Sequence, residues 1–141
     1  MNDSCIFCKL VAGNIPSTKV YEDAEILAFM DIGPIVKGHT LVIPKQHVER
    51  ITDIPVGMLA RVMNIVQNIA AAQMNGLKAD GVNIVQANGE AAGQVVPHLH
   101  FHVIPRFATD GHHWNWAAKK YDNMEEMSRT AQAIRNGLEQ T

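Results

Sequence analysis

Length, composition and charge narrow the class of protein before any motif is considered. With 141 residues, 47% of them hydrophobic, the chain suits one domain that buries a core, and disorder is not expected. A formal net charge of −2 provides no electrostatic attraction that would bind a nucleic acid polymer. The first residues lack the basic and apolar regions of a signal peptide, and no apolar run would span a bilayer, so we expect a cytoplasmic protein with no membrane partner.

Turn signals and apolar patterns divide the chain into strands and helices. In chain order we expect a helix over 5–12, strands over 18–21, 25–30 and 40–43, a long helix over 55–75, strands over 82–87 and 97–104, and a last helix over 122–137. Pro44 and Pro105 are expected to close their strands. Because strands outnumber helices and follow one another in hairpins, we expect an α+β domain. It has a five-stranded antiparallel sheet, one long helix and one or two shorter ones.

An apolar stripe marks the last predicted helix. Its members recur at helical spacing and are Met124, Met127, Ala131, Ile134 and Leu138. Such a stripe is more typical of a helix that faces a core than of a functional site. We therefore expect it to pack in the core.

His98, His100 and His102 alternate with large apolar residues in the fifth predicted strand. Side chains two apart on a strand share a face and lie about 7 Å apart, so one ligand can touch two imidazoles. Three interpretations are open. The histidines are surface residues without a function, or together they hold a catalytic metal, or one attacks phosphorus while the others hold its oxygens.

The histidine segment and the blocks around it form a set of motifs. The segment reads His98-Leu99-His100-Phe101-His102-Val103-Ile104, and the other blocks are Cys5-Ile6-Phe7-Cys8-Lys9, Asp31-Ile32-Gly33-Pro34, residues 38–45 with His47, and Asn88-Gly89 with Ala92-Gly93-Gln94. In content and order they resemble the histidine-triad (HIT) family, and most closely its bacterial members of the Hint type. The likeness spans residues 5–106. We therefore expect a single HIT domain over 1–141, with 107–141 as a C-terminal extension.

The resemblance implies a nucleotide hydrolase or transferase with a covalent intermediate. Family members transfer a nucleotidyl group to the middle histidine, here His100, and water then releases a nucleoside monophosphate. His102 matches the histidine that contacts a phosphate oxygen or the leaving group, and His39 matches one that supports the nucleophile. A backbone carbonyl is expected to hold the second nitrogen of His100. The implied substrates are purine nucleoside phosphoramidates or related conjugates of AMP or GMP. A dinucleoside polyphosphate hydrolase and a non-catalytic nucleotide-binding or interaction module are the alternatives.

Other positions match residues that bind the nucleotide. They are Phe29, Asp31, Ile32, Asn88, Gln94 and Val95, together with His102. The resemblance places Asp31 at the ribose hydroxyls and Phe29 and Ile32 beside the base, although core packing also explains the two apolar residues. Asn88 belongs to the phosphate end, and backbone N–H groups after Gln94 are expected to hold phosphate oxygens. The family usually has Ser or Thr where this chain has Val95, so that side-chain hydroxyl donor is absent.

Cys5 and Cys8 have the spacing of half a zinc site. Two inert buried thiols are the alternative, and a structural disulfide is not expected in a reducing compartment. By resemblance to some bacterial family members and to galactose-phosphate uridylyltransferases, His47 and His98 complete the ligand set. We therefore expect one structural zinc ion per chain, which leaves the other two triad histidines for the chemistry.

The resemblance also implies a homodimer, in which two sheets join edge to edge into one continuous sheet. Hint-type members place C-terminal residues near the partner's active site. Trp114 or Trp116 is therefore expected to border the leaving-group pocket, or else to pack on its own domain. Arg106 is expected to anchor a phosphate or the C-terminal segment.

Overall fold

The computed structural model describes residues 2–141 and shows one sheet with a helix on each face. The elements are α1 (Ile6–Val11), β1 (Lys19–Glu22), β2 (Ile26–Met30), β3 (Thr40–Pro44), α2 (Val56–Gly76), β4 (Gly81–Val85), β5 (Phe101–Arg106) and α3 (Met124–Leu138), with a 3₁₀ turn at Glu90–Ala92. All strand pairs are antiparallel, in the order β1-β2-β3-β5-β4. The predicted fold class is confirmed.

The central strands β2 and β3 are buried on both faces, because a helix covers each face. On the α2 side the buried residues of the sheet and of the segment that enters β5 are Ile26, Ala28, Val42, Leu99, Phe101 and Val103. On the α1 side they are Leu27, Phe29, Leu41 and Ile43. The alternation of strand side chains thus creates two separate cores. His98 and His100 contact Phe7 of α1 and so belong to the second one.

The segment that contains the three histidines is only partly a strand. β5 runs over Phe101–Arg106, so the prediction of a strand over 97–104 is wrong at both ends. The backbone N–H groups of His98 and Leu99 donate to carbonyls of the preceding loops instead of to a neighbouring strand. Only His102 lies in the strand proper, and the two histidines before it lie on the bend that leads into it.

Two prolines lie within strands instead of beyond their ends. Pro44 is the last residue of β3, opposite Ile26, and Pro105 lies in β5, opposite Val82. A proline lacks only the N–H donor, and its fixed φ is compatible with a strand position near an end. The prediction that these prolines stop their strands is therefore wrong by one or two residues.

The C-terminal segment leaves the sheet and ends in a helix that buries none of its side chains. Met124, Ile134 and Leu138 are 71%, 63% and 66% exposed, so the expectation that the apolar stripe packs in the core is wrong. The reason lies in the connection, since residues 107–123 form no helix or strand that would return α3 to either core. None of the helices in residues 2–141 has the length and apolarity to cross a bilayer.

Candidate active site and metal centre

His100 lies where the backbone bends into β5, and its ring is buried edge-on against Phe7. Its Nδ1 lies 2.6 Å from the carbonyl oxygen of His98, and because a carbonyl can only accept, Nδ1 carries the proton. This carbonyl is the backbone acceptor expected from the sequence. Burial lowers the pKa of His100, although the bond to His98 opposes the shift, so the ring is neutral near pH 7. The remaining nitrogen, Nε2, therefore keeps a free lone pair.

Two further imidazoles form a chain of hydrogen bonds that fixes their tautomers. The N–H of Ile35 donates to Nδ1 of His39 at 3.2 Å, so His39 holds its proton on Nε2. That Nε2–H donates to Nδ1 of His102 at 2.8 Å, which leaves the proton of His102 on its own Nε2. Burial lowers the pKa of His39. Burial, with the nearby rings of His100 and His39, lowers the pKa of His102 to about 4. Both rings are neutral near pH 7.

The rings of His100 and His102 lie side by side and offer a ligand two different groups, a lone pair and an N–H. Their ring centroids lie 4.9 Å apart in an edge-to-face arrangement. His100 offers a lone pair on Nε2 because its Nδ1–H is bonded, whereas His102 offers an N–H because its Nδ1 accepts from His39. A nucleophile thus lies next to a hydrogen-bond donor, which is what attack on a phosphoryl group requires.

Asp31 lies at the end of β2 and lines a mostly apolar cavity of about 170 Å³. One carboxylate oxygen accepts the N–H of Gly33 at 2.8 Å, and the other lies 3.6 Å from Nε2 of His39. The apolar walls come from Ile6, Phe7, Leu10, Phe29, Ile32 and Leu41, among others. Phe29 is a buried core residue, whereas Ile32 is fully exposed, so core packing explains the first and not the second. The cavity can accept a flat apolar group with the carboxylate beside it.

The side-chain amides of Asn88 and Gln94 hold loops together. Oε1 of Gln94 accepts the N–H of Gly89, and its Nε2 donates to the carbonyl of Glu49, both at 2.7 Å. Oδ1 of Asn88 accepts the N–H of Ile51 at 2.8 Å. Because both ends of the Gln94 amide are engaged, this geometry disagrees with a direct contact from that side chain to a nucleotide. Gln94 is instead a positioning residue for the loop that precedes the histidines.

Val95 lies on the outside of the same loop, with 89% of the residue exposed. Among residues 2–141 no acceptor is found for its backbone N–H or for that of Val96. These two N–H groups are the backbone donors expected after Gln94. They are free to bind an oxygen of a ligand.

The four predicted metal ligands come together beside α1. Their donor atoms all lie within 4.8 Å of one another, on Cys5, Cys8, His47 and His98. Nδ1 of His98 lies 3.4 Å from Sγ of Cys5 and 3.7 Å from Sγ of Cys8. Sγ of Cys8 also lies 3.4 Å from Nδ1 of His47. Tetrahedral zinc, with bonds of about 2.3 Å to sulfur and about 2.0 Å to nitrogen, requires sulfur–nitrogen distances of about 3.5 Å. The donor set fits such an ion.

His98 is held in the tautomer that a metal ligand needs. Its Nε2–H donates to the carbonyl of Pro44 at 2.8 Å, so Nδ1 keeps a lone pair that faces the two thiols. Burial lowers the pKa of His98 to about 4, which keeps the ring neutral. Cys5 also caps α1, since its Sγ accepts the N–H of Cys8 at 3.4 Å. Because the His98 carbonyl holds His100, the metal centre and the candidate nucleophile share one residue.

Comparison with known proteins identifies the family. The model of the HIT domain matches residues 12–109. The chain belongs to the HIT family. Adenosine 5′-monophosphoramidase HNT1 of Saccharomyces cerevisiae is 41% identical to this HIT protein, over 86% of this chain and 75% of the yeast protein.

Solved structures of HIT relatives share the fold over nearly the whole chain. A protein from Streptococcus mutans superposes with a TM-score of 0.90 at 44% identity, over 98% of this chain and 87% of the other. A zinc-bound histidine triad family protein from Mycobacterium smegmatis has a TM-score of 0.73 at 40% identity, over 97% of this chain and 96% of the other. The α+β architecture is therefore that of known HIT structures.

The HIT match begins after the cysteine pair and ends before α3. It contains the sheet, His47 and the triad histidines, whereas Cys5 and Cys8 lie outside it. The candidate metal centre of this HIT protein thus combines two ligands from the common domain with two from the segment that precedes it.

Part of the site of this HIT protein is not predicted from its sequence. Phe7 lies edge-on to both His98 and His100, with centroids 5.8 and 5.1 Å away, and it walls the cavity together with Leu10. In the sequence analysis, the only candidate site residues in the segment Cys5-Ile6-Phe7-Cys8-Lys9 are the two cysteines. The signal that could have found Phe7 is helical spacing, since Phe7 and Leu10 are three residues apart and so share one face of α1.

Proposed function

We propose that this HIT protein hydrolyses purine nucleoside phosphoramidates or related nucleotidyl conjugates through a nucleotidyl intermediate on His100. The observation that carries the proposal is the hydrogen bond from His100 Nδ1 to the His98 carbonyl, which leaves Nε2 free to attack phosphorus. The yeast relative is named an adenosine 5′-monophosphoramidase, and that name supports the same reaction class.

In the first step, Nε2 of His100 attacks phosphorus and forms a nitrogen–phosphorus bond. The bond from phosphorus to the leaving amine breaks, and its electron pair goes to the amine nitrogen. That nitrogen takes up one proton from solvent as it departs. The His100 ring becomes a phosphorylated imidazolium, whose Nδ1–H remains bonded to the carbonyl of His98.

In the second step, water attacks phosphorus and the electron pair of the nitrogen–phosphorus bond returns to His100. The water loses one proton, which balances the proton that the amine gained. The net reaction adds water across the original bond and releases a nucleoside monophosphate. Throughout, the Nε2–H of His102 donates to a phosphate oxygen or to the leaving atom, and His39 keeps His102 in the tautomer that allows this.

The remaining groups place the nucleotide. Asp31 is proposed to accept the ribose hydroxyls, with Ile32 and Phe29 at the base in the apolar cavity. The free N–H groups of Val95 and Val96 are proposed to bind phosphate oxygens. Hydrophobic walls suit either purine, so the proposed substrates include both AMP and GMP derivatives.

We propose that one structural zinc ion is held by Cys5, Cys8, His47 and His98. A closed set of four ligands leaves no open position, so the ion contributes folding energy and no chemistry. The zinc-bound relative from M. smegmatis supports this choice of metal. His98 is then fixed at both ring nitrogens, and its carbonyl orients His100.

We propose that two copies pair along β4 and form one continuous sheet. Among residues 2–141, β4 pairs with β5 alone, and its sequence has no charge and no proline that would block the other edge. Ile84 on this strand is 48% exposed. An unprotected edge of this kind pairs with another strand, and a second copy supplies one of the same sequence.

Trapping the intermediate tests the mechanism. Rapid mixing with an adenosine phosphoramidate, followed by a denaturing alkaline quench and mass spectrometry, should show an AMP adduct on the peptide that contains His100. His100→Ala is expected to lose the adduct and to lower kcat on the order of 10⁴-fold. His113→Ala, which changes an exposed histidine of the C-terminal segment, should keep both. Full turnover by His100→Ala would rule the mechanism out.

A comparison of substrates tests the reaction class. The phosphoramidate should be hydrolysed faster than a diadenosine polyphosphate, and the opposite order would favour the dinucleoside polyphosphate hydrolase. A protein that binds AMP and turns over neither compound would be a nucleotide-binding module.

A further inference from the structure

The cavity beside Asp31 contains a second polar side chain, that of Ser17. Eleven residues line this cavity, and the side chains of the other nine are apolar. Ser17 is half-buried, and no hydrogen-bond partner of its hydroxyl is found among residues 2–141. A hydroxyl in an apolar wall, with no partner in its own chain, is available to a ligand.

The strand register places Ser17 opposite Asp31. The N–H of Met30 donates to the carbonyl of Thr18 at 2.9 Å, so the pairing of β1 with β2 continues to these two residues. One step further along, Ser17 faces Asp31. Residues directly opposite each other have Cβ atoms about 4.5–5.5 Å apart and side chains on the same face of the sheet. This register agrees with the position of both side chains in the wall of one cavity.

The two side chains offer a ribose different groups. A carboxylate only accepts hydrogen bonds, whereas each hydroxyl of a ribose both donates and accepts. Asp31 can therefore take the protons of the diol, but it has none to give to the ribose oxygens. The N–H of Gly33 already donates to Asp31, and the Nε2–H of His39 is used by His102. Among the described residues that line the cavity, only Ser17 has a side chain that can donate to a ribose oxygen.

We infer that Ser17 is a second ribose-binding residue, which donates to one hydroxyl oxygen of the ribose while Asp31 accepts the protons of the diol. The inference deepens the proposed function and rests on the nucleotide site proposed above. Its consequence is selectivity for the sugar. A nucleotide that lacks the hydroxyl bound by Ser17 leaves polar groups of the site unpaired, so the site favours a ribonucleotide over a deoxyribonucleotide.

Calorimetric titration of the full chain with AMP, 2′-deoxy-AMP and 3′-deoxy-AMP tests the inference. Ser17→Ala is expected to raise the Kd of AMP on the order of 5-fold, as expected for the loss of one neutral hydrogen bond. For the deoxynucleotide that lacks the oxygen bound by Ser17, the variant and the wild type should have the same Kd. Thr18→Ala is the matched control, because it removes a neighbouring exposed hydroxyl that does not line the cavity. This control should keep all three wild-type Kd values.

Steady-state kinetics with an adenosine phosphoramidate give a second readout. Ser17→Ala should raise KM by a factor similar to that for the Kd of AMP and leave kcat unchanged. The reason is that the bond to the ribose is present in the ground state and in the transition state alike. A melting temperature equal to that of the wild type shows that the variant is folded.

The outcomes separate the role of Ser17 from the proposed hydrolase. An unchanged Kd of AMP in Ser17→Ala overturns the inference. Equal weakening of all three nucleotides overturns it as well, because the hydroxyl would then act on the base and not on the ribose. Either result leaves the hydrolase standing, and the adduct on His100 decides that question separately. A wild type that binds none of the three nucleotides overturns the nucleotide site and the role of Ser17 together.

Discussion

His98 makes three contacts that together orient the candidate nucleophile. Its Nε2–H donates to the Pro44 carbonyl, its Nδ1 faces the thiols of Cys5 and Cys8, and its carbonyl accepts from His100. A disturbance at the candidate metal centre would therefore reach Nε2 of His100, the candidate nucleophile, through a single residue. The resemblance to the HIT family predicts that His98 differs from the other triad members, whereas the contact of its carbonyl depends on a bend that the sequence does not reveal.

His39 offers a test of the proposed tautomer of His102. His39→Phe removes the donor to Nδ1 of His102, so that ring can move its proton and lose the N–H that faces the substrate. We expect kcat to fall on the order of 10²-fold with little change in KM. His39→Gln restores a donor and should recover part of the loss. Steady-state kinetics with unchanged kcat in His39→Phe would remove His39 from the mechanism.

The proposed zinc site and the proposed nucleotide site can be separated by two substitutions. Cys8→Ser removes a thiolate from the proposed zinc set, and we expect it to abolish the one equivalent of zinc and to lower the melting temperature. Asp31→Asn changes the proposed nucleotide site and should keep the zinc while it weakens nucleotide binding. Elemental analysis measures the zinc content, and calorimetry measures the melting temperature and the nucleotide binding. Zinc retained by Cys8→Ser, or lost by Asp31→Asn, would contradict the assignment.

At the scale of the elements, continuous apolar runs locate the central strands well. The predicted strands 25–30 and 40–43 differ by one residue from β2 and β3, because turn residues flank runs that are buried on both faces. The start of β5 is not predictable in the same way. Alternating histidines and apolar residues occur equally in a paired strand and in an extended segment that bonds to a loop, and here the Leu99 N–H bonds to Val48.

The loop before β3 depends on Gly38, which has a φ of +105°. A Cβ at this position would lie 2.7 Å from Cδ1 of Leu77 and 2.8 Å from Cγ of Pro105. We therefore expect Gly38→Ala to lower the free energy of unfolding by about 3 kcal/mol, from backbone strain and overpacking. Gly76→Ala is the control, because no atom lies within 4 Å of its Cβ and a helical alanine adds about 0.5–1 kcal/mol. Chemical denaturation of both variants provides the measurement, and equal effects would contradict the argument.

At the scale of the whole molecule, the buried neutral histidines make stability depend on pH. The pKa of His102 falls from 6.5 to about 4 on folding, so its contribution is complete above about pH 6.5 and is lost as the pH falls towards about 4. His39, His100 and Asp31 face this ring, and only the last opposes the shift. His102→Gln should therefore lose less stability than the wild type between pH 7 and pH 5, measured by urea denaturation. An equal loss in both proteins would rule this contribution out.

The position of α3 is a property of the whole molecule, and the spacing of apolar residues in the sequence does not predict it. The stripe that begins at Met124 predicts an amphipathic helix, and both ends of α3 lie within two residues of the predicted range 122–137. The surface that covers the stripe depends on the length of residues 107–123 and on where they are anchored. The ion pair of Arg106 with Asp110 is part of this anchoring, and the sequence does not predict it because the two side chains meet only in the folded chain.

The six-residue helix α1 belongs to the metal centre and to the cavity wall at once. Cys8 faces the metal-binding histidines, whereas Phe7 and Leu10 line the cavity beside Asp31. A helix this short has little stability of its own, so a ligand that stabilises it at one site would favour the other site as well. Linked equilibria are reciprocal, so a metal bound at the proposed zinc site would raise the affinity for nucleotide by the same factor as nucleotide would raise the affinity for metal. Occupancy of the proposed zinc site would thereby change how tightly this protein holds nucleotide, an allosteric coupling carried by one turn and a half of helix.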